Sequence, residues 1–472
     1  MTSGVLARRR RGGRALGLLR DAVRGRSIDA AEGPVRRAVI LLAVPMVLEM
    51  AMESVFAVVD IFFVSRLGAE AVAAVGFTES LLAIIYTVAV GLSIGVTAMV
   101  ARRIGEGDRE AAAHTAFQAL ALGFAISLVL AFVGVLYAER LLGLMGAGDD
   151  VIAIGAGYTR VTLGANVVVL LLFLMNAAFR GAGDAGIAMR VLWLANGLNI
   201  VLNPLLIFGI GPFPELGVTG AAVGTVIGRG TGVIAQLLIL AGGAGVLRLA
   251  ARHARLAPAL MLRLLRLSGS GMLQVFISTA SWIGMIRIVA MFGSDAIAGY
   301  TIAIRVVLFA LLPAWGLANA AATMVGQGLG AGRADRAEEA VWIAARLNLA
   351  FLGSVGVVFM VAAPWIVGIF AADGAAAGYA VHGLRILSAG FFFYAFGMVL
   401  TQSFNGAGDT RTPMLLNLLC FWCWEIPLAW FLAHRVGMGP DGAFLAVTIA
   451  FSTLAVVSAA LFRRGKWKLQ MV

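Results

Sequence analysis

Charge is scarce in this sequence. Only 13% of its 472 residues are Asp, Glu, Lys or Arg, whereas a soluble domain carries about a quarter, so an ordinary water-soluble fold is excluded. Cysteine is scarcer still: Cys420 and Cys423 form a CxxC inside an apolar run. One such pair with no histidine nearby completes neither a structural zinc site nor a disulfide framework, and it reads as thiols acting as small apolar residues. The four histidines, His114, His253, His382 and His434, are scattered. The chain lacks a His–carboxylate pair at hydrolytic spacing, a phosphate-binding glycine loop with its lysine, and a cluster of metal ligands. The residues therefore do not read as an enzyme, and they imply no cofactor. The N-terminal stretch MTSGVLARRRRGGRALGLLRDAVRGRSID lacks the apolar core of a cleaved signal. It reads as a cytoplasmic tail, with Ala15 to Arg26 either lying on the bilayer as a basic amphipathic helix or staying disordered.

What the sequence has instead is apolar length. Hydrophobic residues make up 61%, and the mean hydropathy is +0.96. Apolar runs of about twenty residues recur along the chain, which is the length that crosses a bilayer as a helix. They are continuous rather than alternating with period two, so an all-α polytopic membrane protein is expected and not a barrel. Twelve spans are predicted, at 38–64, 74–101, 115–138, 151–178, 186–210, 218–242, 268–293, 298–328, 341–365, 379–404, 413–434 and 442–462.

The net charge of +12 does not point to nucleic acid, because ten arginines precede residue 38 and the remaining excess lies in short loops. Basic residues so placed orient a membrane protein and attract anionic lipid. With the N-terminus inside, 27 Lys and Arg fall in cytoplasmic tails and loops, three (Arg66, Arg140, Arg435) outside, and six within spans. Both termini are thus expected in the cytoplasm, with the chain in the inner membrane.

The two halves repeat. RGAGD at Arg180–Asp184 returns as NGAGD at Asn405–Asp409, an offset of 225, and the same offset relates Gly68 to Gly293, Gly105 to Gly330, Arg160 to Arg385 and Met189 to Met414. An offset spanning six helices keeps both halves in the same orientation, as in parallel repeats about an axis along the membrane normal. The GAGD turns lack the strand and lysine of a nucleotide loop, and their aspartates suit capping of the following helix. The expected organisation is a basic tail (1–37), a six-helix lobe (38–243), a basic linker (244–267), a second six-helix lobe (268–462) and a basic tail (463–472). Two bundles rocking about a central cavity give alternating access, and the internal duplication makes a monomer sufficient.

Charged residues inside spans are costly and mark function by default. The first span carries Glu49, Glu53 and Asp60 on one stripe, and the second half carries Glu425 in CFWCWEIP. An acidic stripe reads as a cation path. The plainer alternative is that these acids are neutral or paired with an arginine and hold helices together. Arg160, Arg190 and Arg385 lie where long side chains can snorkel. Arg287 and Arg305 lie deeper and are candidate counter-charges.

The motifs VVDIFFVSRLGAEAVAAVGF, RGAGDAGIAM, NPLLIFGIG, LGVTGAAVGTVI, VGQGLGAGRADRAEEA and NGAGDTRTPM together resemble the multidrug and toxic-compound extrusion (MATE) transporters, over about residues 35–465. Within that family the sequence is most similar to the branch related to the DNA-damage-inducible F protein. The resemblance implies two six-helix lobes exporting amphiphilic, often cationic compounds in exchange for protons or sodium, with membrane lipid as the surrounding partner. It places the family's first-helix aspartate on Asp60, its fifth-helix pair on Asn199 and Asn203, and a sixth-helix threonine on Thr225. Position 203 is an amide where the family usually has aspartate, which removes one carboxylate, and Glu53 is expected to replace it in part. Pro204 is expected to kink the fifth helix and free carbonyls beside these amides. Glu425 is a second ion-site candidate. Two nearby acids favour protons over sodium. A flippase for lipid-linked precursors is the alternative within transport, and a membrane-embedded enzyme the alternative from another class.

Overall fold

The computed structural model describes residues 17–23, 33–370 and 374–470, and among these residues there are helices and turns but no strand. Residues 17–23 form a short helical segment; the rest of the anticipated surface helix, residues 15–16 and 24–26, lies outside the described residues. Twelve spans follow. In the first lobe they are α1 (Val35–Val64), α2 (Ala69–Gly105), α3 (Arg109–Leu144), α4 (Asp149–Gly164 with Asn166–Gly181), α5 (Ala185–Phe208) and α6 (Val218–Gly242). In the second they are α7 (Pro258–Ala290), α8 (Ser294–Gly330), α9 (Ala334–Gly368), α10 (Ala375–Ala389 with Phe391–Ala407), α11 (Arg411–Arg435) and α12 (Pro440–Arg463). Ten are single apolar helices, of which α3 is kinked at Tyr137, whereas α4 and α10 are pairs bent by 41° and 58°. The bends fall at Ala165 and Gly390, again 225 residues apart.

The repeat extends to individual hydrogen bonds. Arg160 Nε donates to the Val135 carbonyl at 3.3 Å and Arg385 Nε to the Met360 carbonyl at 3.2 Å. Trp193 Nε1 reaches the Leu48 carbonyl and, with the register shifted by one helical turn, Trp422 Nε1 reaches the Ile277 carbonyl. The repeated aspartates diverge: Asp409 caps the start of α11 through the Thr412 amide, but Asp184 does not cap α5. It accepts instead from the Val246 amide of the linker. Gln118 adds a second clamp on the linker, donating to the Arg255 carbonyl and accepting from the Ala257 amide.

The lobes meet most closely at one end. There α2 crosses α8 through Gly105 and Gly330: a Cβ on Gly105 would lie 2.1 Å from the Gln327 carbonyl oxygen, and one on Gly330 2.2 Å from that of Arg102. Small residues let helix backbones approach in this way. Hydrogen bonds cross the same seam. Thr323 donates to the Arg180 carbonyl at 3.2 Å and Gln327 to the Gly181 carbonyl at 2.8 Å.

Candidate functional site

A cavity of about 460 Å³ lies between the lobes. The stripe read on the first span faces it: Glu49, Glu53 and Asp60 on α1 all line its wall, with Met50, Phe56 and Ala57 between them. Seven residues are close to two helical turns, which puts Glu53 and Asp60 on one face.

Each of these acids has its own partner. Glu49 Oε1 takes the Arg180 guanidinium at 2.6 Å, and both side chains are buried. Arg180, which lies two residues beyond the span predicted to end at 178, belongs to the last turn of α4 and lines the cavity. Glu53 lies 3.4 Å from Asn196 Nδ2 and 4.0 Å from Arg229 Nη2. Arg229 donates to the Tyr86 hydroxyl at 3.0 Å and sits over the Phe56 ring at 5.5 Å. Asp60 Oδ1 accepts from Asn203 Nδ2 at 2.7 Å. Glu53 and Asp60 therefore do not share a partner among the described bonds.

Asn199 and Asn203 are placed by close packing of α5 on α6. Gly220, Gly224, Gly228 and Gly232 recur every fourth residue and form a groove along α6. A Cβ at 224 would stand 2.4 Å from Asn203 Oδ1, and one at 228 would stand 2.6 Å from the Ala195 carbonyl and 3.1 Å from Asn199 Cβ. The glycines make room for both amides. Asn199 Nδ2 donates to Thr225 Oγ1 at 2.9 Å. The Oδ1 atoms of both asparagines are buried and have no protein partner; of Asn199, Asn203 and Thr225 only Asn203 is bonded to Asp60, and none of the three is among the residues lining the cavity. The helix α5 continues through Pro204 to Phe208, and the proline ring deprives the Ile200 carbonyl of its helical donor.

Glu425 is not part of this constellation. It is buried inside the second lobe, where α11 opens to π geometry over Leu418–Glu425. Its neighbours in charge are Tyr300, Tyr394 and Cys420, and its Oε2 has no protein partner. Both cysteines are free.

Several cavity residues were not singled out from the sequence. Glu79 on α2 lines the cavity, and an acid inside the span 74–101 was the signal for it. Arg229 was visible as an in-span arginine but had no assigned partner. The second lobe contributes Trp315, Asn319, Gln402 and Asn405. Three of these form an amide chain: Asn405 donates to Gln402 at 2.6 Å and Gln402 to Asn319 at 3.1 Å.

The MatE family model matches the chain twice, at residues 45–205 and 271–431, one match per lobe. The chain belongs to the MatE family. Members of this family are membrane transporters rather than enzymes, and so is this chain. It is 25% identical over 445 residues to the probable multidrug resistance protein NorM of Thermotoga maritima, covering 93% of this chain and 94% of the relative. It is also 25% identical over 431 residues to the FAD transporter of Shewanella oneidensis, covering 91% and 95%. A solved structure described as the outward-facing conformation of a multidrug resistance MATE family transporter superposes with a TM-score of 0.87 at 24% identity, covering 94% of this chain and all of that one. That likeness supports the MATE fold of two six-helix lobes.

Proposed function

We propose that this MATE-family chain exports amphiphilic, often cationic compounds by cation-coupled alternating access, with protons favoured over sodium. The observation carrying the reading is the acid-lined cavity, and Asp60 within it. Four carboxylates face the cavity against two guanidinium groups, Arg180 and Arg229. Those two pair with Glu49 and Glu53, so the direct hydrogen bond Asp60 receives comes from an amide, while the Arg229 charge, shared with Glu53, reaches it only through space. A carboxylate in a membrane interior needs a counter-ion or a proton. Asp60 takes one cation per cycle, beside the Asn203 amide. That pair offers few oxygens, and Asn203 carries no charge, which suits a proton better than a metal ion.

The end sealed by Gly105 and Gly330 is the cytoplasmic one on the distribution of basic residues, and the cavity then faces outward. An excess of acid does not suit a pyrophosphate headgroup, or an anionic cargo such as that of the FAD transporter, and this supports the exporter reading over a flippase. The test is uptake of a fluorescent cationic dye into inside-out proteoliposomes under an imposed proton gradient or an imposed sodium gradient. Dye movement on the proton gradient alone is expected. Movement on neither gradient would defeat the proposal.

A further inference from the structure

The four cavity acids are not alike. Glu49, Glu53 and Asp60 each lie within 4.0 Å of a protein donor. Glu79 has no hydrogen bond or ion pair among the described residues, and its side chain is exposed to the cavity it lines. The charges whose fields reach it are Asp60 on α1 and Arg305 on α8, and Tyr158 on α4 is close enough to feel it in turn. Arg305 is also exposed.

Glu79 and Arg305 hold nearly equivalent places in the two repeats. The helices that carry them, α2 and α8, cross at Gly105 and Gly330. Glu79 lies about 39 Å along α2 from that crossing at 1.5 Å per residue. Crossed rods diverge with distance from the crossing, so rocking of the lobes changes the gap between Glu79 and Arg305 far more than the spacing at the crossing itself. The cavity beneath Glu79 is lined by Phe56, Tyr86, Phe173 and Trp315.

We propose that Glu79 receives the cationic centre of the transported amphiphile, and that Arg305 on the facing lobe is a tethered cation competing for the same carboxylate. This rests on the exporter reading and assigns its substrate charge to a residue distinct from the coupling acid. A free carboxylate at the rim of an aromatic-lined cavity holds an organic cation whose hydrocarbon body lies against the rings. When the lobes close over that rim, Arg305 is brought toward Glu79 and the two sites of positive charge become mutually exclusive.

The test uses purified full-length protein and two probes of matched shape: methyltriphenylphosphonium, a permanent cation, and the neutral triphenylphosphine oxide. Affinities are read by calorimetry at fixed pH. Glu79→Gln is expected to weaken the cation about tenfold or more and the neutral probe by less than about threefold, and to flatten the salt dependence of cation binding. Arg305→Gln is expected to tighten the cation, which a merely structural role for either residue would not produce. Unchanged cation affinity in Glu79→Gln, or equal loss for both probes, overturns the inference and leaves the exporter reading standing. Failure of the parent protein to bind the cation overturns both.

Discussion

The seam between α2 and α8 gives a prediction whose size follows from the geometry. Alanine at 105 places a Cβ 2.1 Å from the Gln327 oxygen, with backbone atoms at 2.8 and 2.9 Å, where ordinary contact begins at 3.4 Å. The obstacles are backbone, so no side chain can swing aside, and the helices must part by roughly 1.3 Å, the difference of those distances. Overpacking of this kind costs about 1–3 kcal/mol. The separation also strains the Gln327–Gly181 and Thr323–Arg180 hydrogen bonds that cross the seam. A bias of about 1–3 kcal/mol changes the ratio of the two lobe arrangements by about 5- to 150-fold. The assay is a spin-label distance measurement between residues 109 and 339, both exposed and on opposite lobes, in a background with Cys420 and Cys423 replaced by alanine. Gly105→Ala and Gly330→Ala should each move population to long distances. Gly197→Ala, whose Cβ would meet nothing within 4 Å, should not. Identical distributions in all of these proteins would refute the view that this crossing holds the lobes together.

Three further outcomes are expected. Arg180→Ala leaves the Glu49 carboxylate buried without its partner, which costs about 3–5 kcal/mol; thermal unfolding in detergent should show a lower midpoint, with Glu49→Gln in the same background restoring part of it. Trp467 is buried at 1% exposure and stacks on Phe462, so Trp467→Ala should cost about 3–5 kcal/mol and release the C-terminal turn to added protease. Lys468 faces Glu338 and Asp335, and its hydrogen bonds to them raise its pKa above the ordinary 10.5. A lysine held this way keeps the contact intact below 10.5 and loses it as pH rises through the higher folded value. A nitroxide at exposed Leu469 should therefore stay immobile at pH 9 and gain mobility only above about 10.5.

Composition and apolar run length were enough to read twelve helices, and the GAGD turns with their glycines were enough to pair the halves. The bends at Ala165 and Gly390 were not legible, because an apolar span keeps its length whether it is straight or broken. Helix ends were misjudged for a similar reason: α2 and α3 run on past the apolar stretch to Gly105 and back to Arg109, where membrane thickness no longer sets the limit. Of the site, Glu49, Glu53 and Asp60 could be placed on one face because seven residues close two turns. The partners could not be read, since Arg180, Arg229 and the amide chain Asn405–Gln402–Asn319 come from helices whose mutual rotation depends on glycine packing rather than on hydropathy. Glu425 looked comparable to Asp60 as a deep acid in sequence, yet the π turns of α11 carry it into the second lobe's interior.

The central claim is that Asp60 couples cation movement to transport. The most direct measurement is dye transport by Asp60→Asn against the parent in proteoliposomes, with a proton gradient imposed, and with downhill dye exchange at zero gradient as the control for folding. The account predicts that Asp60→Asn, which keeps an oxygen facing Asn203 but has no charge to neutralise, still exchanges dye downhill and no longer concentrates it on the gradient. Gradient-driven accumulation by Asp60→Asn equal to that of the parent would contradict it.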